Sequence, residues 1–169
     1  MQHQHKFETD LVNEAATASG DRLPFGALVI ERRKLLEQQY IDSSDRAPNP
    51  IFFFNQHRQL LHANRAALTD IVRQSIEDAI GLRLGELLGC EHRMSAKPGE
   101  VYACLDCNSM PSLRTALAGR HSTETRFLII HPEDRPIRAS FRVSAVPISA
   151  GEMTLAMLIL EKVTETESL

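Results

Sequence analysis

Cys90, His92, Cys104 and Cys107 are the side chains in this chain whose types and spacing could do chemistry. They read C-x-H, eleven residues, then C-x-x-C. Two close pairs joined by a short loop can converge on one tetrahedral ion without help from distant elements. Thiolates with an imidazole suit zinc. An iron–sulfur cluster fits less well, since it usually asks for four cysteines. The C-x-H half departs from standard zinc-finger spacing, and Glu91 or Asp106 could replace His92 as the fourth ligand. The same thiols offer redox sensing, with Cys104 and Cys107 cycling between dithiol and disulfide and Cys90 as a third partner. Arg93 and Lys97 would favour thiolate there, and Glu100 and Asp106 would oppose it. A plainer reading keeps Cys90 as a small buried residue and the C-x-x-C as incidental.

The other histidines carry less. His57 and His62 flank or enter a short hairpin and read as surface or edge residues. His121 follows a helix and reads as solvent-exposed, although it could in principle approach a haem. His3 and His5 lie in a polar terminus expected to fray. No phosphate-binding loop, nucleophile elbow, zinc-protease helix or dinucleotide fingerprint occurs, so the sequence does not read as an enzyme.

Composition narrows the class further. The chain has 169 residues, 43% hydrophobic and 24% charged, with net charge −3 and three cysteines. That is enough for one domain with a core plus an appendage. No basic patch with interleaved aromatics marks a nucleic-acid surface. The longest apolar run, Leu155 to Leu160, is far too short to cross a bilayer, and no signal peptide is visible. An odd cysteine count with one C-x-x-C suits a reducing cytoplasm.

The elements that would position the cysteines come before and after them. Residues 1–23 read as a polar tail, with some helical turns around Leu11 to Ala18. Residues 24–47 read as an amphipathic helix. Phe25, Leu28, Val29, Leu35, Leu36 and Tyr40 form its stripe, interrupted by Arg32. That stripe could pack on its own domain or pair two chains. Ser43 to Pro50 breaks the helix. Ile51 to Phe54 is a strand opened by Pro50, Asn55 to Arg58 a polar break, and Gln59 to His62 a second strand. Asn64 is an N-cap for a helix carrying Leu68, Ile71 and Val72. Ser75 caps a further turn that Gly81 closes. Ser109 to Gly119 reads as a helix capped by Ser109, with Met110, Leu113, Ala116 and Leu117 along one side. Three strands follow. They are Thr123 to Ile130, then Ile137 to Ala145 alternating apolar with polar, and then Met153 to Val163. HPEDR (131–135) and ISAGE (148–152) supply the turns.

Strand, tight turn, strand, then a helix entered through Asn resembles the opening of a PAS domain, and the resemblance runs over residues 48–163 with 164–169 as a tail. It implies an α+β fold: a PAS-like five-stranded antiparallel sheet with helices on one face, preceded by the N-terminal amphipathic helix. It also implies that the helix after Ser109 lies across the sheet, with any ligand beneath it. Gly89-Cys90 and Cys104-x-x-Cys107 resemble a cysteine-bearing group of PAS modules associated with bacterial histidine kinases. That group carries a further cysteine where this chain has Pro98, so a four-thiolate site would need His92 to compensate. The function implied is a cytoplasmic sensory module. It would read redox state, metal or a small ligand through the Cys/His loop, dimerise through its N-terminal helix, and pass the signal to a partner such as a histidine kinase. The alternative is a non-sensing interaction scaffold with structural cysteines.

Overall fold

Pro24, extended at φ −70° and ψ 160°, leads into helix α1 (Phe25–Leu36), whose last turn carries Arg33 and Lys34 at the carbonyl end where cations are favoured. A computed structural model describes residues 22–88, 110–130, 137–163 and 167–168. The single helix expected over 24–47 is two, because the chain turns at residues 37–39 before α2 (Tyr40–Asp45). Backbone bonds from the Gln38 N–H to the Leu35 carbonyl and from the Ile41 N–H to the Gln38 carbonyl close that turn. The apolar stripe divides with it. Leu28, Leu35 and Ile41 are buried, whereas Phe25, Val29 and Leu36 remain 64%, 46% and 39% exposed.

Strands β1 (Ile51–Phe54) and β2 (Leu60–Ala63) form the expected hairpin. Asn55 shapes its turn, its side-chain oxygen accepting from the His57 and Gln59 amides while Arg58 takes a left-handed φ of 61°. Asn64 caps α3 (Arg65–Ala67), accepting from the Ala67 amide at 2.9 Å. The helix then widens into a π-helical turn, Leu68–Val72, with Ile71 buried. Ser75 caps α4 (Ile76–Ala79), and Gly81 follows it at φ +84°. Helix α5 (Leu84–Leu87) comes next, and α6 (Met110–Leu117) buries Leu113 and Ala116 as its spacing required. Ser109, and the turn expected at 131–135, lie outside the described residues.

Strands β3 (Ser122–Ile130), β4 (Ile137–Ala150) and β5 (Met153–Lys162) complete an antiparallel sheet in the order β2-β1-β5-β4-β3. A two-residue β6 (Glu167–Ser168) adds to one end of β4. β4 runs five residues further than its alternation suggested. It reaches a two-residue turn at Gly151-Glu152, where Ala150 faces Met153.

The sheet is covered on both faces. Phe52, Phe54, Phe141, Val143, Leu158 and Leu160 pack beneath α3–α6. Ile51, Phe53, Leu61 and Leu155 pack on the opposite face against Leu28, Leu35 and Ile41. The helices expected on one face therefore account for the later helices only, and the N-terminal pair closes the other. The second face of β4, expected to be wet, is also partly covered: Ser140 and Ala150 are buried there.

Candidate functional site

Cys90, His92, Cys104 and Cys107 all lie outside the described residues, as do Glu91 and Asp106. Among the described residues no three His, Cys, Asp or Glu side chains gather as a metal site requires. The described chain does show what flanks that loop, and how the N-terminal helices meet the sheet.

The junction is a polar seam along the β1–β2 hairpin. Gln59 clamps the start of α1 both ways: its Oε1 accepts from the Leu23 amide at 2.8 Å, and its Nε2 donates to the Leu23 carbonyl at 3.0 Å. Asn55 Nδ2 donates to Glu31 Oε2 at 2.8 Å, and Arg32 Nε donates to the Leu61 carbonyl at 3.1 Å. Asn64 is the centre of the seam. Its Oδ1 accepts from the Ile51 amide at 2.9 Å as well as from Ala67, and its Nδ2 donates to the carbonyls of Ser44 and Asn49 at 2.9 Å each. One buried side chain thus caps α3, seats β1 and holds the end of α2 and the turn that follows it, because an amide has both donors and acceptors.

His62, read from the sequence as a surface or edge residue, lies on β2 at the edge of the sheet but is buried. It is 8% exposed, with its ring 5.8 Å from that of Phe53 and its Nε2 2.9 Å from Asp45 Oδ1. Its Nδ1 is buried and has no hydrogen-bond partner among the described residues. Tyr40 stacks on the far side of Phe53 at 6.2 Å, and its hydroxyl donates to the Ser149 carbonyl. Burial pushes the Tyr40 hydroxyl above its ordinary pKa. His121 is exposed, as expected.

One charged pair lies a few residues before Leu88, the last described residue ahead of Cys90. Arg83 is buried just ahead of α5, and its amide donates to Glu86 Oε2 at 2.7 Å. Glu86 also takes Arg22 on Oε1 at 2.8 Å. Burial alone would raise the Glu86 carboxyl, but the hydrogen bonds from Arg22 and the Arg83 amide, with the charges of both arginines, outweigh it and hold it below the ordinary range. On the outer side of α1, Phe25, Val29 and Leu36 line a groove of about 500 Å³ with Arg32, Arg33, Glu37, Glu77 and Ile80.

The polar residues of the hairpin read in the sequence as turn and cap, and their partners 15 to 36 positions away gave no local signal. The one hint was compositional: His62 interrupts, and Asn55, Gln59 and Asn64 flank, two strands whose other residues are all apolar. No helix among the described residues is long and apolar enough to span a membrane.

The sequence profile described as the PAS fold matches residues 44–168. No curated protein matches the chain. Among solved structures, the PAS domain of a protein from Colwellia psychrerythraea superposes with a TM-score of 0.50 at 19% identity, covering 77% of this chain and 98% of that one. Phage VqmA, in its complex with DPO, gives 0.51 at 13% identity over 80% of this chain and 56% of its own. The PAS domain of nitrogen regulation protein NR(II) from Vibrio parahaemolyticus gives 0.48 at 16% identity over 75% and 99%. At such identities the first two likenesses speak to the fold alone.

Proposed function

From the premise that this chain belongs to the PAS fold family, whose profile spans residues 44–168, we propose that it is a sensory signal-transduction module acting on a partner such as a histidine kinase. The observation that carries the reading is the double burial of β1. Phe52 and Phe54 face the helices that lead to the cysteine loop, and Phe53 between them faces α1 and α2. A displacement on the first face has a rigid strand through which to reach the second, and close-packed interiors transmit strain rather than absorb it.

The input we propose is redox state, a metal or a small ligand at Cys90, His92, Cys104 and Cys107. Zinc is the favoured ion on donor chemistry, since two thiolate-bearing pairs with one imidazole match its preferences. The output surface we propose is the exposed side of α1, pairing with the same side of a second copy. Phe25, Val29, Arg32 and Leu36 follow one another at steps of four, three and four, the spacing of a two-stranded seam. The neighbouring groove carries Arg32 and Arg33 beside Glu37 and Glu77, so a two-fold partner brings each sign against the other.

The input is tested on protein purified without oxygen, by elemental analysis and a visible spectrum. Bound zinc without colour is expected, and Cys104→Ser with Cys107→Ser should remove it and leave the circular dichroism unchanged. A protein that holds no metal and whose thiols neither oxidise reversibly nor alter its oligomeric state would support the scaffold reading instead. For the output, sedimentation equilibrium should give a dimer that Val29→Asp converts to monomer; a wild-type monomer sinks that half of the proposal.

A further inference from the structure

At Gly81 the segment leading to Cys90 comes against the N-terminal helix, next to Ile80, which packs on the same core as Leu28. The Gly81 amide donates to the Leu60 carbonyl at 2.9 Å, and the Leu60 amide donates to the Leu82 carbonyl at 2.9 Å. Residues 81 and 82 thus pair with the outer edge of β2 like a short extra strand. On the other side, a Cβ added at Gly81 would stand 2.8 Å from Leu28 Cδ1, well inside carbon–carbon contact distance. The backbone here is also left-handed, at φ +84°. Glycine alone supplies both the conformation and the thinness needed between β2 and α1.

The elements on either side serve opposite faces of the sheet. Leu84 and Leu87 of α5 pack with Phe52 and Phe54. Leu28 of α1 packs with Phe53 and Leu61. A second tie runs in parallel, since Glu86 of α5 holds Arg22, three residues ahead of α1. The stretch that ends at Leu88 is therefore tied to α1 at Gly81, beside Ile80, which also packs against this core, and to the residues just ahead of α1 through Glu86.

We propose that the Gly81–Leu82 step is a coupling joint, through which a shift of the segment before Cys90 moves α1 directly, around the edge of the sheet rather than through its centre. It rests on the reading that input lies near the cysteines and output on α1. A displacement of the Gly81 backbone toward α1 would have to move the Leu28 side chain that lies against it.

Hydrogen exchange on the 169-residue chain tests the joint, with Gly119→Ala as the control. Gly119 has a similar φ of +82° but nothing within 4 Å of an added Cβ. Both substitutions bear the same backbone cost, and only Gly81→Ala drives into Leu28. We expect α1 amides to exchange about tenfold faster in Gly81→Ala and unchanged in Gly119→Ala. If Gly81→Ala fails to fold, Leu28→Ala reads the joint from the other side and should speed exchange of the Gly81, Leu87 and Leu88 amides. Equal α1 exchange in the two glycine variants overturns the proposal, as does a Leu28→Ala protein whose residues 81–88 exchange as in wild type. Neither measurement uses a stimulus, so the joint stands or falls apart from the input. Titration with zinc addresses the input separately, and lack of uptake defeats that reading alone.

Discussion

Asn64→Ala removes the amide on which three elements converge. Asn64 is fully buried, and its side chain makes four hydrogen bonds of 2.9 Å, from the amides of Ile51 and Ala67 and to the carbonyls of Ser44 and Asn49. Each such bond contributes about 1 kcal/mol net, and orphaning a buried partner costs about 1–3 kcal/mol. Water entering the vacated space satisfies some of the four, so the expected loss is about 3–5 kcal/mol, a large share of a typical domain's 5–15 kcal/mol. Urea unfolding followed by circular dichroism should show the midpoint fall with an unchanged slope. Asn64→Asp sharpens the test. It keeps the acceptor for both amides but turns a second oxygen toward two carbonyls, so at neutral pH it should cost at least as much as alanine. On acidification the protonated acid can donate once, and part of the loss should return. A loss under about 1 kcal/mol for alanine, against the few kcal/mol expected of orphaned buried groups, or an aspartate as stable as wild type at pH 7, would refute the account of Asn64 as the hub.

Phe53→Ala should cost about 3–5 kcal/mol by chemical denaturation, since it empties the centre of the second core between Tyr40 and His62; a cost near that of a surface change would mean α1 and α2 do not seal that face. The Glu86 carboxyl is held below its ordinary value near 4.5 in the folded chain. Its contribution to stability is therefore complete at neutral pH and is lost as the pH falls from about that value through the depressed folded one. Glu86→Gln should flatten the acid limb of the stability–pH curve, and an unaltered limb would assign that limb to other groups. Part of the tie lies at the surface, so added salt should weaken it.

The strand set was legible because its signals are local. Ile51 to Phe54 is a run of strand formers between Pro50 and Asn55, and Phe141, Val143 and Ala145 alternate with polar residues in β4. The caps at Asn64 and Ser75 were legible for the same reason. The sequence also holds unbroken apolar runs, whose meaning is not periodic. IFFF in β1 and LAMLIL in β5 have no polar alternate, as strands covered on both faces do not, and the second cover is α1 with α2. The stripe on α1 was visible, but whether it packs inward or pairs outward was not, since the answer divides residue by residue: Leu28 in, Val29 out. His62 was legible as an edge residue, on β2, but not as a buried one, since nothing near it in sequence announces Asp45. The cysteine loop is legible only as spacing, and its geometry lies outside the described residues.

The depth of that second core decides what kind of motion could carry a signal. Residues 22–43 precede the family match, yet Leu28, Leu35 and Ile41 from this stretch are fully enclosed. Burying such side chains stabilises by about 1.5–3 kcal/mol each, so releasing all three costs on the order of 5–9 kcal/mol before any of the seam's hydrogen bonds is counted. Coupling between sites in proteins is commonly about 1–3 kcal/mol, too little to peel the helices off the sheet. A stimulus of that size can instead choose between two packings of the same contacts, which leaves Phe53 covered throughout. If α1 carries the proposed output, it does so docked: its amides should stay protected with and without stimulus, and what should change is the angle of Phe25, Val29 and Leu36 toward the proposed second copy.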